Sequence, residues 1–239
     1  MRPTRIRDKK MKKINCITIL TFVLSASVFL GCEKEKKDGV DLIRENPYVK
    51  NAIKEAGFPE YGGNNPPALA GTYLPNGKVT DASNLFSEMI GASLKSVFIL
   101  SNQTTSGKID FEERVEGIKV SGCGGYITGD NGAFTIYMES TQTGSEAGLP
   151  DDLSLKVVVQ MSGKQSNTGN LTGVQGITII IDAKSNNKAY NLSSIKGLWY
   201  KWEADFILQT GSNSSFRSLT NSDEQFLLQK AMHLIFQKQ

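Results

Sequence analysis

Histidine is nearly absent from this 239-residue chain, with His233 its only copy. A metal site built from several imidazoles is therefore excluded, and a serine or cysteine nucleophile would have one residue to serve as its histidine base. Cysteine is almost as scarce: Cys16, Cys32 and Cys123 stand far apart and form no disulfide framework. The sequence has no G-x-S-x-G and no H-E-x-x-H. Its nearest approach to a phosphate-binding glycine loop, "GCGGYITG", puts Ile127 in the third glycine's place and is followed by no helical pattern. Nothing in the residues points to a catalytic motif, a metal or a cofactor.

An excess of positive charge is missing too, once its location is considered. The formal net charge of +3 suggests an anionic partner. However, Arg2, Arg5, Arg7, Lys9, Lys10, Lys12 and Lys13, with Asp8, all precede an uncharged run from Ile14 to Gly31. Removing those seven bases and one acid from the totals of 27 and 24 leaves 20 and 23, a net charge of −3 for everything after Gly31. A mildly acidic body has no electrostatic reason to bind nucleic acid.

From either candidate start, Met1 or Met11, basic residues followed by an apolar run have the layout of a secretory signal. A spanning helix needs about 20 apolar residues; here Asn15, Thr18, Thr21, Ser25 and Ser27 dilute the run. It ends at Phe29-Leu30-Gly31-Cys32, followed by Glu33-Lys34-Glu35-Lys36-Lys37-Asp38. The tetrad resembles the lipobox of bacterial lipoproteins, with Phe29 and Leu30 in place of the usual leucine and small residue. The resemblance implies cleavage before Cys32, acylation of Cys32, and attachment of the chain to a membrane through N-terminal acyl chains. Glu33 after the cysteine, rather than the aspartate of inner-membrane retention, favours the outer membrane of a bacterial cell envelope.

The expected organisation is a lipoprotein signal peptide over 1–31, a charged tether over 32–45, a short helix with a Pro/Gly-rich lead-in over 46–70, and an antiparallel β domain over 71–239. In "ENPYVKNAIKEAGF", Asn46 caps a helix, Pro47 takes its first position and Gly57 stops it. From Gly71 the apolar period changes from 3.6 to 2. Pro75-Asn76-Gly77 and Gly129-Asp130-Asn131-Gly132 read as hairpin turns. Leu153 to Met161 alternate with Ser154, Lys156, Val158 and Gln160. Ile177, Ile179, Ile181 and Ala183 alternate with Thr178, Ile180 and Asp182, and Tyr200, Trp202, Ala204, Phe206 and Leu208 alternate with charged residues. One apolar and one wet face on about eight or nine strands, with no helical stretch between them, predicts a mainly β fold: an antiparallel barrel, or alternatively a β-sandwich. Ser222 and Gln225 open a C-terminal helix in capping-box style.

"PPALAGTY", "GDNGAFTIY" and "MSGKQSNTGNLTGVQGITIIIDAKSN" resemble the lipocalin-like (calycin-like) barrels of envelope lipoproteins. Tyr73 stands where that family carries tryptophan. The resemblance implies a barrel lumen, and Tyr200, Trp202 and Phe206 on an inward face become possible cavity-lining residues for an apolar ligand or a glycan. Tight core packing is the competing reading of the same stripe. The expected role is a non-catalytic binding module for a small ligand, a glycan or a protein partner. The alternative is an envelope hydrolase using paired carboxylates drawn from Asp110, Glu112, Glu113 and Glu116. A Cys123–His233 dyad is a formal possibility only; Cys123 beside glycines reads as a small buried thiol.

Overall fold

The computed structural model describes residues 39–94, 96–115, 118–143, 152–186 and 191–210. Cys32, Glu116, His233 and the expected C-terminal helix lie outside them. Two helices come first, α1 (Gly39–Glu45) and α2 (Pro47–Ala56). The α2 caps are those expected: the Asn46 side chain accepts from Tyr48 N at 2.9 Å, and Gly57 adopts φ 57° in the left-handed region. Helix α1 was not anticipated. It occupies the second half of the segment read as a tether, and buries Val40 and Ile43.

Eight strands follow: β1 (Gly71–Ala82), β2 (Val97–Ser101), β3 (Lys108–Val115), β4 (Ile118–Asp130), β5 (Ala133–Thr143), β6 (Leu153–Gln165), β7 (Leu171–Ser185) and β8 (Trp199–Leu208). Each pairs antiparallel with the next, and β8 returns to β1, so the sheet closes into a barrel and leaves no open edge. The sandwich alternative is thereby excluded. At the Asp130–Ala133 turn, Asn131 and Gly132 take φ 52° and 78°, the positive angles a tight hairpin needs.

The other expected hairpin does not form. β1 runs straight through Pro75-Asn76-Gly77, which pair in order with Phe206, Asp205 and Ala204 of β8. The regular pairing of β1 with β2 stops at Tyr73, so Pro75 sits where one flank of the strand lacks a ladder to donate into. Gly77 is required for approach, not for turning: a Cβ there would meet Glu203 O and Ala204. Helical turns do occur between strands. A 3₁₀ helix (Asn84–Met89) in the β1–β2 connection carries Phe86 and Met89 into the core, and a shorter one spans Leu192–Ser194.

Two apolar clusters result. The inner one fills the barrel, and the outer one packs α1, α2 and Phe58 against Tyr137, Val158, Ile177, Ile179, Ile181 and Trp199 on the outside of β5–β8. The expected wet face of β6 is therefore dry where the helices lie, with Val158 and Gln160 fully buried. A bulge opposite Lys156/Val157 changes the phase of β7, so Ile180 and Ala183 point inward while Ile181 joins Ile177 and Ile179 outside.

Polar contacts fasten α1 to this wall. Arg44 Nη2 donates to the Tyr137 hydroxyl at 2.5 Å, Tyr137 donates to Glu60 Oε1 at 3.2 Å, and Arg44 Nε donates to the same carboxylate at 3.3 Å. Burial, reinforced by the Glu60 charge, pushes the Tyr137 phenol up to about 12, so it remains a neutral donor well above neutral pH. Burial pulls Arg44 down, but Tyr137 and Glu60 outweigh it and hold the guanidinium above its ordinary value.

Candidate functional site

The two ends of the barrel differ. The lower end carries the β2–β3, β4–β5 and β6–β7 turns and is stoppered by the lead-in segment. Leu69 enters fully buried beside Tyr73, Phe134, Leu171 and Phe206. Its backbone N donates to Gln103 Oε1 at 2.7 Å, and the Tyr73 hydroxyl donates to Leu69 O at 3.0 Å. At the upper end, Phe86, Met89 and Ile195 are packed in, Phe86 edge-on to Tyr200 at 6.0 Å between ring centroids.

Tyr200, Trp202 and Phe206 all point inward, with exposures of 8%, 3% and 1%. Their roles diverge. Phe206 belongs to the stopper, 5.2 Å from the Phe98 ring and 6.0 Å from Trp202, and is not among the residues lining the upper chamber. Tyr200 and Trp202 line a void of about 60 Å³ in the upper half of the lumen, with Phe98 and Phe111. A closely packed aromatic group thus forms the floor and one wall of a small chamber.

The remaining lining is mixed: Met138 and Val159 are apolar, and Glu113, Cys123, Ser140, Gln142 and Thr178 add polar groups. These residues were not singled out as binding residues in the sequence, although strand parity marks one of them. Glu113 lies two positions after Phe111 and shares its inward face, whereas Lys108, Asp110, Glu112 and Arg114 occupy the outward one. The chamber is open to water: Cys123, Val159 and Thr178 point inward from mid-strand, where a filled barrel would bury them, yet all are partly exposed.

Of the carboxylates considered for hydrolysis, Asp110, Glu112 and Glu113 lie among the described residues, and they do not share a cleft. Glu112 is paired with Arg114 Nε, and Asp110 Oδ2 accepts from Asn102 Nδ2 at 2.7 Å, both on the outer wall. Glu113 faces the opposite side of the sheet. Two acids flanking a scissile bond need a common cleft at about 5–10 Å separation; β3 instead divides its acids between inside and outside. No cluster of metal-ligating residues occurs among the described residues. Outside the lumen, a broad groove of about 560 Å³ crosses β7, β8 and β1, lined by Asn76, Lys78, Gln175, Glu203 and Asp205. It has no aromatic platform, and Asp205 already accepts from Gly173 N at 2.8 Å.

Fold and lumen define a closed, eight-stranded antiparallel barrel of lipocalin-like architecture with a stoppered lower end and a water-reached upper chamber. No protein-family model, curated protein or solved structure matches the chain.

Proposed function

We propose that this chain is a non-catalytic binding module, held at a bacterial envelope membrane through an acylated Cys32, that takes a small group or the end of a larger ligand into the upper lumen. The observation carrying the lumen reading is the partial exposure of Cys123, Val159 and Thr178 on the inward face of continuous strands. Size sets the scale of the cargo. A water needs roughly 10–15 Å³ of such space and a whole drug-sized ligand about 300–1,000 Å³; the chamber's 60 Å³ matches a head group.

Cys123 provides the test. In the native protein its thiol is expected to react with methyl methanethiosulfonate and to resist a bulky maleimide, read by mass mapping of the Cys123 peptide. Reaction with the small reagent only after denaturation would mean that the lumen is closed, and would overturn the reading.

The membrane part rests on the Phe29-Leu30-Gly31-Cys32 junction and on the concentration of basic residues ahead of it. Two or more acyl chains hold a protein stably on a bilayer. The mature N-terminus is expected to be a diacyl or triacyl Cys32 by mass spectrometry; an intact leader or an unmodified Cys32 would refute the anchor.

A further inference from the structure

A second pocket, of about 260 Å³, lies on the outer wall near the lower end, and its walls are fastened to one strand. Tyr126 and Thr128 of β4 line it, on the outward face opposite Ile127. Past the start of β3, the edge of β4 bonds first to the β2–β3 turn and then to the lead-in. Ile127 N donates to Gly107 O at 2.7 Å, Gly129 N donates to Gly63 O at 3.1 Å, and Asn65 N donates to Gly129 O at 3.0 Å. Both segments make this approach through glycines at positive φ, Gly107 at 76° and Gly63 at 122°, where a Cβ would meet Ile127 O and Gly129 O. Helix α1 completes the pocket with Val40, while Gly39 rests against the Tyr126 ring, which any side chain there would overlap. The pocket is thus framed by backbone hydrogen bonds and a docked helix.

Its lining combines two kinds of surface. Val40, Pro66 and the Tyr126 ring are apolar, and Asn64, Thr105, Ser106 and Thr128 bring an amide and three hydroxyls. No Lys, Arg, Asp, Glu or His lines it, so a charged ligand would give up water without gaining a countercharge. The Thr128 hydroxyl donates to Tyr61 O at 2.7 Å and Ser106 shares a bond with Thr104 at 2.9 Å, whereas the Asn64 amide and the Thr105 hydroxyl have no protein partner among the described residues. A saturated hydrocarbon would use the apolar surface and cover those two polar groups without bonding them. A sugar ring uses both: its C–H face lies on the aromatic ring, and its hydroxyls donate and accept around the edge. The volume lies just under the roughly 300–1,000 Å³ that encloses a drug-sized ligand, which suits one ring with any further chain continuing into solvent. We propose that this outer pocket is a binding site for a single neutral sugar residue, held by the Tyr126 ring and the Asn64 amide.

The pocket lies outside the lumen and is independent of the lumen reading. The full-length protein is titrated with methyl glucoside, methyl galactoside and methyl mannoside, with cyclohexanol as the apolar control and sodium methyl glucuronide as the charged one, and binding is read by saturation-transfer NMR. At least one of the three neutral glycosides is expected to bind saturably and more tightly than either control. Asn64→Ala, at an exposed position where the fold should tolerate it, and Tyr126→Leu, which keeps apolar bulk beside Gly39 but removes the ring, are each expected to weaken that binding at least about fivefold. Asn64→Ala should leave Tm unchanged; if Tyr126→Leu lowers it, the decision falls to Asn64→Ala. Saturation of any of the three by none of the titrations overturns the proposal, as does binding unchanged by Asn64→Ala. Cyclohexanol binding as tightly as the best glycoside would make the pocket an apolar site, and the glucuronide doing so would remove its selectivity for neutral rings; either result overturns the proposal. A glycoside that slows the labelling of Cys123 by methyl methanethiosulfonate would be bound in the lumen, which overturns the outer site while supporting the lumen reading.

Discussion

Gly176→Ala is expected to destabilise the barrel by about 1–3 kcal/mol, the range for forcing extra volume into a filled core. Gly176 on β7 stands directly opposite Trp202 on β8, and a Cβ placed on it would overlap the indole. The flexible end of a long side chain could swing aside, but Trp202 is 3% exposed and hemmed by Phe98 and Phe206, with centroids at 6.2 and 6.0 Å. Trp202→Ala alone should cost about 3–5 kcal/mol through lost burial and the cavity it leaves. In that background the Gly176→Ala penalty should fall to a few tenths of a kcal/mol, because its clash partner is gone. Urea midpoints of the four proteins, at constant slope, give the coupling. Additive effects would mean that strain at Gly176 lies elsewhere than against the indole.

The second large effect concerns the helical pair. Val49→Asp should detach α1 and α2 from the outer wall while the barrel remains folded. Val49 is 1% exposed within the outer cluster, and an unpaired carboxylate there costs about 3–5 kcal/mol if the helices stay docked. Undocking offers a cheaper outcome. It exposes Ile177, Ile179 and Val158 to water and gives up the bond from Trp199 Nε1 to Glu55 Oε2 at 3.2 Å and from Lys201 Nζ to Ala56 O at 3.2 Å. The docked state carries a handicap of its own: the fully buried Gln160 amide has no hydrogen-bond partner among the described residues, a loss of about 1–3 kcal/mol. Hydrogen exchange should show amides of 39–56 losing protection in the variant while those of β5–β7 keep theirs, with a red shift in Trp199 emission. Loss of protection across the barrel as well would make the helices an inseparable part of the fold.

The largest errors in reading the sequence share one cause. Period-2 alternation is a local property, and it correctly marked Tyr200, Trp202, Ala204, Phe206 and Leu208 as one buried face. Whether the opposite face is wet depends on what else packs there; α1 and α2 cover Val158 and Ile177, so both faces of β6 and β7 are apolar over that stretch. The turn motifs divide in the same way. Asp130-Asn131-Gly132 turns because the strands on either side pair with each other, as they do at Asp130 and Ala133. Asn76-Gly77 has the same dipeptide character, but β8, more than a hundred residues later, pairs in unbroken register with β1 from Tyr73 to Val79.

The candidate site was legible to a similar depth. Tyr200 and Trp202 were identifiable as inward aromatics, and Glu113 could have been added from its parity with Phe111. That Phe206 belongs to the stopper, that Leu69 closes the lower end, and that Cys123 and Thr178 meet across the same chamber follow from barrel closure.

The sequence by itself determined the mainly β character, the inward stripe of β8, the caps of α2 and the confinement of basic excess to the residues before the uncharged run, because each depends on neighbours a few positions away. Only the tertiary structure decided which apolar face is lumen and which is outer wall, which Asn-Gly turns, and how much of the lumen is left empty. Those outcomes depend on register and volume summed around a closed ring of eight strands, quantities no single strand contains.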